Sequence, residues 1–194
     1  MTKKDQVAKL IRAISVPPVM VSVMVLILGK ANPEVFEDPW QIVVTIMLLG
    51  VVPILAYPLQ QLIPSLRDKG REGQRNLAFV LNFIGYGVAF VWALAMQVSM
   101  QLKLIFSTYF LSVLLLTICN KCFHFRASGH ACSFTGPLVL LVYLVGVKML
   151  IPCLVVAGMI IWASLYLKRH TARELSGGIL VCCISFVLSL IGVS

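Results

Sequence analysis

Two short clusters carry two of the three histidines of this chain together with basic residues and a carboxylate: Arg126-Ala127-Ser128-Gly129-His130 and Lys168-Arg169-His170-Thr171-Ala172-Arg173-Glu174. Each lies between long apolar runs. An even number of such runs separates them, which puts both clusters at one membrane face. An imidazole can act as nucleophile or general acid, and a carboxylate can fix its tautomer. Basic side chains can hold an anion. Converging at a lipid surface, these groups suit chemistry on an anionic head group.

The spacing within each cluster narrows the roles. His170 and Glu174 are four residues apart, so on a helix they share a face, and Glu174 can orient the His170 ring. The same letters, Thr171-Ala172-Arg173-Glu174, also spell a capping box with Thr171 as N-cap, which gives Glu174 a structural use. Both readings stay open. Ser128-Gly129-His130 precedes an apolar run, and a helix N-terminus there offers unpaired N–H groups to a phosphate. Gly129 would let an anion come close to the backbone. The plainer reading is that Ser128-Gly129 only starts a helix. A third basic segment, Arg67 to Arg75, offers Lys69, Arg71 and Arg75 as phosphate clamps, Arg71 and Arg75 being spaced for one helix face. Its competitor is an ordinary solvated charge run.

The elements that must position these residues are membrane helices. Of the 194 residues 60% are hydrophobic and 12% charged, and the mean hydropathy is +0.98. A soluble domain carries about 45–50% apolar and about 25% charged residues. A spanning helix needs roughly 20 apolar residues. The expected spans are Trp40–Leu62, Leu77–Met96, Leu104–Ile118, Ala131–Val147, Met149–Leu167 and Leu175–Val193, with Ile14–Leu28, interrupted by Pro17-Pro18, as a short or half-inserted first one. Pro53 and Pro58 should bend the second half of Trp40–Leu62, and Trp40 suits an interfacial anchor. Lys3, Lys4, Lys9 and Arg12 resemble the basic start of a signal peptide, but no small-x-small cleavage site follows. The expected fold is an all-α integral membrane protein, one domain over 1–194, with six or seven transmembrane helices and a polar pocket at one face.

Counting spans brings the N-terminus, the Arg67–Arg75 loop and both clusters to one side. Only Lys30, Lys103 and Lys148 lie opposite. The excess of Lys and Arg makes the active-site side cytoplasmic. The net charge of +9 is packed into short loops between spans, which favours membrane lipids or a substrate phosphate as partners and not nucleic acid.

The order of these motifs resembles the type-2 phosphatidic acid phosphatases, membrane relatives of the vanadium haloperoxidases. Their pattern runs Lys and Arg-Pro, then Pro-Ser-Gly-His, then Ser-Arg-x5-His-x3-Asp. Here Ser128-Gly129-His130 matches the second motif, with Ala127 where Pro is usual. His170 and Glu174 match the third, with Glu for Asp, and Gly178 stands at the glycine that follows. Ser164 occupies the family's arginine position, leaving Arg126, Lys168 or Arg169 to supply that charge. In the first motif, Lys69 to Arg75 is one residue short and Asn76 replaces Pro. The resemblance covers roughly Arg67 to Val193 and is to a divergent, compact branch. It implies hydrolysis of a lipid phosphate or diphosphate through a phosphohistidine, with His170 as nucleophile, Glu174 orienting it and His130 protonating the leaving group. Lys69, Arg71, Arg75, Arg126, Ser128 and Gly129 would hold the phosphate. No metal or other cofactor is expected. His130 and His170 should then lie within about 10 Å of each other.

Two other functions compete. A catalytically inactive homologue could bind lipid phosphate, given Ser164. Alternatively Cys119, Cys122, His124, His130 and Cys132 could build a zinc or thiol-redox centre. The motifs name neither the substrate lipid nor the oligomeric state.

Overall fold

The computed structural model describes residues 2–193, except for the side chain of Arg71. The described chain is helical throughout, with no strand. Among the described residues eleven α-helices follow one another: α1 (Lys3–Ile14), α2 (Pro17–Ala31), α3 (Pro39–Ile46), α4 (Val52–Ile54), α5 (Ala56–Leu62), α6 (Pro64–Arg67), α7 (Gly70–Ala95), α8 (Met100–Lys121), α9 (Gly129–Val145), α10 (Leu150–Tyr166) and α11 (Ala172–Val193). The protein is an all-α membrane bundle. Four helices are long and apolar enough to cross a bilayer, and up to six segments are if each of two bent pairs counts as one span. The apolar α9, at 17 residues, is at the short limit for spanning.

The N-terminal segment, expected as a short or half-inserted span over Ile14–Leu28, is the pair of helices α1 and α2. Thr2 accepts from the Asp5 N–H at 3.2 Å and Asp5 accepts from the Thr2 N–H at 2.7 Å, a capping box that starts α1. Ala8 and Ile11 are buried, whereas Val7, Leu10 and Ile14 form an exposed apolar stripe. Pro17 and Pro18, expected to interrupt a span, instead occupy the first turn of α2, where a missing N–H costs nothing. The axis turns by 64° between α1 and α2.

Trp40–Leu62 is likewise not one continuous helix. A π-turn over Met47–Val51 precedes Pro53, and α5 leaves the axis of Pro39–Ile54 by 42°. Proline lacks the N–H and crowds the preceding turn, so a bend here was expected; the π-turn adds to it. Trp40 packs edge-on against Trp92 at 5.2 Å. The charged stretch from Ser65 to Asn76, expected as a loop, is mostly helical, forming α6 and the start of α7.

The centre of the bundle is α8: 56% of the residues in its apolar stretch are buried, against 22% in those of α7 and α10. It packs between α7 and α11, and α9 packs on α11 and α2. Tyr86 of α7 meets Tyr109 of α8 edge-on at 5.3 Å. Outward-facing Val91, Leu94, Ile151, Leu154, Leu180 and Ile191 remain exposed, as lipid-facing side chains must.

Candidate active site

Three segments far apart in sequence meet at one end of the bundle. The first is the link from α8 to α9. Ser128 caps α9, accepting from the Ala131 N–H at 3.2 Å, and its own N–H donates to the Glu174 carbonyl at 2.9 Å. That bond ties the first cluster to the first turn of α11. The contact depends on glycine. At Gly178 a Cβ would run into the Ser128 carbonyl oxygen and the Ala131 side chain, and at Gly177 into the Phe125 ring.

The second segment carries His170. The Glu174 N–H donates to Thr171 Oγ1 at 3.2 Å and the Thr171 N–H donates to Glu174 Oε2 at 3.1 Å, so the capping box is formed. The same Oε2 lies 3.3 Å from His170 Nδ1, and Oε1 accepts from Arg126 Nε at 3.2 Å. One carboxylate therefore caps the helix and holds the imidazole; the two readings of Glu174 overlap. With Nδ1 engaged, His170 Nε2 is left as the reactive nitrogen. Burial pushes the His170 pKa below the ordinary imidazole value, and the Glu174 hydrogen bond opposes this without cancelling it. The ring is accordingly neutral near pH 7.

The rings of His130 and His170 are 6.4 Å apart between centroids and nearly parallel, at 8°. His130 Nε2 lies 3.2 Å from Ser15 Oγ, and that hydroxyl donates to the Arg12 carbonyl at 3.1 Å. A carbonyl only accepts and a serine has one proton, so Nε2 must be the donor. His130 is thus in its Nε2–H tautomer.

The third segment is the corner between α1 and α2, which supplies Ser15 and also Arg12, whose guanidinium donates to Ser164 Oγ at 3.3 Å. Arg12, Arg75, Gly129, His130 and His170 all line one cavity of about 310 Å³. Its inner wall is formed by Asn82, Tyr86, Thr108, Tyr109 and Ser112. Asn82 Oδ1 and the Tyr109 hydroxyl are buried with no hydrogen-bond partner among the described residues.

The residues singled out from sequence divide. His130, His170, Arg75 and Gly129 come to the cavity, and Glu174 stands behind His170. Ser128 is a buried cap. Arg126 is 74% exposed and serves Glu174, not the cavity. Lys69 is exposed at the start of α7 and does not line the cavity. Arg71 lies on α7, its side chain outside the described residues. Arg12 and Ser15 were missed, although Thr2-x-x-Asp5 before Val7, Leu10, Ile11 and Ile14 is an amphipathic-helix signal.

The cysteine cluster does not assemble. Cys122 and His124 are exposed, His124 in a left-handed conformation at φ 50°, while Cys132 is buried. No three His, Cys, Asp or Glu side chains among the described residues are grouped to hold a metal ion. No family model, curated protein or solved structure matches the chain.

Proposed function

We propose that this protein is a membrane-embedded phosphatase that hydrolyses a lipid phosphate or diphosphate through a phosphohistidine on His170. The observation that carries the reading is the pair of parallel imidazoles, 6.4 Å apart, facing one cavity at the head-group end of a membrane bundle. The nearby arginines make that cavity suitable for an anion.

In the proposed reaction the phosphoryl group binds in the cavity that both rings line. His170 Nε2 attacks phosphorus and its bond to the leaving alkoxide breaks. Glu174, accepting from Nδ1–H, stabilises the positive charge that the ring acquires. Burial keeps the His130 ring neutral in the unliganded site; as the phosphate dianion binds, Nδ1 takes up a proton from solvent and the ring becomes an imidazolium paired with the dianion. The leaving oxygen displaces Ser15 from Nε2–H and takes that proton. His130 then takes a proton from water as it attacks the phosphohistidine, releasing inorganic phosphate and restoring His170. Arg75 and the backbone at Gly129 hold the charge on the phosphoryl oxygens, a kind of contact worth several kcal/mol at a transition state. The basic residues gathered at this end favour a cytoplasmic active site.

The test is phosphate release from a panel of lipid phosphates by detergent-purified protein. The reading requires release from at least one of them and its loss in His170→Ala. No release from any of them contradicts it.

A further inference from the structure

Arg12 is part-buried yet has no carboxylate partner. Among the described residues the ion pairs are Arg67–Asp68, Arg126–Glu174 and His170–Glu174, and none includes it. Arg169, another cation, acts on it through space, as does the hydroxyl of Tyr57. Removing a guanidinium from water without a counter-charge is costly, and such groups are normally paired. Among the described residues a single one of its N–H donors has a partner, the oxygen of the fully buried Ser164. Arg12 lines the cavity shared with His130 and His170. Its backbone carbonyl, through Ser15, also fixes the His130 tautomer.

We infer that Arg12 is a phosphate ligand of the active site, delivered by the N-terminal helix α1 to the place beside Ser164. The inference rests on the phosphatase reading for its enzymology but not for its anion chemistry. The missing counter-charge of Arg12 is the substrate phosphate, held by the planar fork as arginine holds phosphate oxygens. Ala8 and Ile11, buried on the same helix, anchor α1 so that Arg12 is fixed in depth and direction. The α1–α2 corner is thus a working wall of the site, contributing one ligand through Arg12 and one orienting contact through Ser15. The resemblance to the phosphatase family leaves a missing charge at Ser164, and Arg12 fills it from another helix.

Ser164 Oγ is 3.3 Å from the guanidinium, so an arginine at 164 can occupy the space an Arg12 truncation leaves. This makes relocation of the charge the decisive experiment. Arg12→Gln, which keeps a stem and a donor for Ser164 but not the charge, should lower kcat/KM for the lipid phosphate about 100-fold or more, as for other lost transition-state donors. Adding Ser164→Arg to Arg12→Gln should recover at least ten-fold of that loss. Inhibition by orthovanadate, a phosphoryl mimic, should weaken in Arg12→Gln and return in the double variant. A purely structural Arg12 would not regain activity from a charge placed on another helix. Full activity and unchanged vanadate inhibition in Arg12→Gln would overturn the inference, as would a loss that the double variant does not restore. If the wild-type protein releases no phosphate, the phosphatase reading fails separately. Direct titration with vanadate then decides: binding in the wild type that Arg12→Gln abolishes sustains the anion site, and binding that it leaves unchanged removes it.

Discussion

At the scale of the residue, the two imidazoles have different surroundings, and the difference assigns their work. His170 has a carboxylate behind Nδ1 and an unengaged Nε2; His130 has a proton on Nε2 and a serine holding it. His170→Ala should abolish turnover. His130→Ala should cost a lipid alkoxide substrate at least ten-fold more than an aryl phosphate, since a weakly basic leaving group needs little protonation. Equal losses on the two substrates would remove His130 from the acid role. The pH profile follows from His170. On the acid side its depressed pKa keeps the ring neutral, and that limb should lie below the pH at which an ordinary histidine protonates. Glu174 raises that pKa, so Glu174→Gln should move the acid limb of kcat/KM to still lower pH while reducing the maximal rate. An unmoved limb with full activity would leave Glu174 only its cap. The His170–Glu174 spacing was legible in sequence because i,i+4 neighbours need no tertiary information. Arg12 was not, because its contact with Ser164 spans 152 positions and no local pattern encodes it.

At the scale of the element, the joints are set by caps and glycines. Thr171 and Ser128 start α11 and α9, and Gly177-Gly178 lets the two helix ends come within backbone contact. Gly178→Ala should destabilise the protein by about 3 kcal/mol, the upper range for overpacking, because its Cβ meets backbone that cannot swing away. Gly158→Ala on α10, where nothing lies within 4 Å, should be neutral or slightly stabilising. Thermal midpoints in detergent check both; equal midpoints would mean that α11 can shift without cost. The spans α7, α8, α10 and α11 were readable from apolar run length, since a helix in lipid must satisfy its own backbone over the full thickness. The breaks were harder. Apolarity gives the length of Trp40–Leu62 but not the π-turn at Met47–Val51, and the Lys-rich α1 hides its helical period under a charge pattern that also suits a signal peptide.

At the scale of the whole molecule, the N-terminal corner, the α8–α9 link and the α10–α11 link converge at one end of the bundle, where the cavity opens beside both histidines. The proposed orientation puts that end in the cytoplasm. Cys122 is exposed just beyond α8 at this end, so in a variant keeping only that cysteine a membrane-impermeant maleimide should label inverted vesicles and spare intact cells. Labelling of intact cells would reverse the orientation while leaving the site itself untouched.

The central claim is the covalent intermediate, and rapid acid-free quenching of the protein during turnover of a phosphate-labelled lipid tests it most directly. We predict one label per active chain, stable to base and lost in acid, mapped by peptide mass spectrometry to His170, retained in His130→Ala and absent from His170→Ala. Turnover with no labelled protein, or label that survives in His170→Ala, would contradict the account.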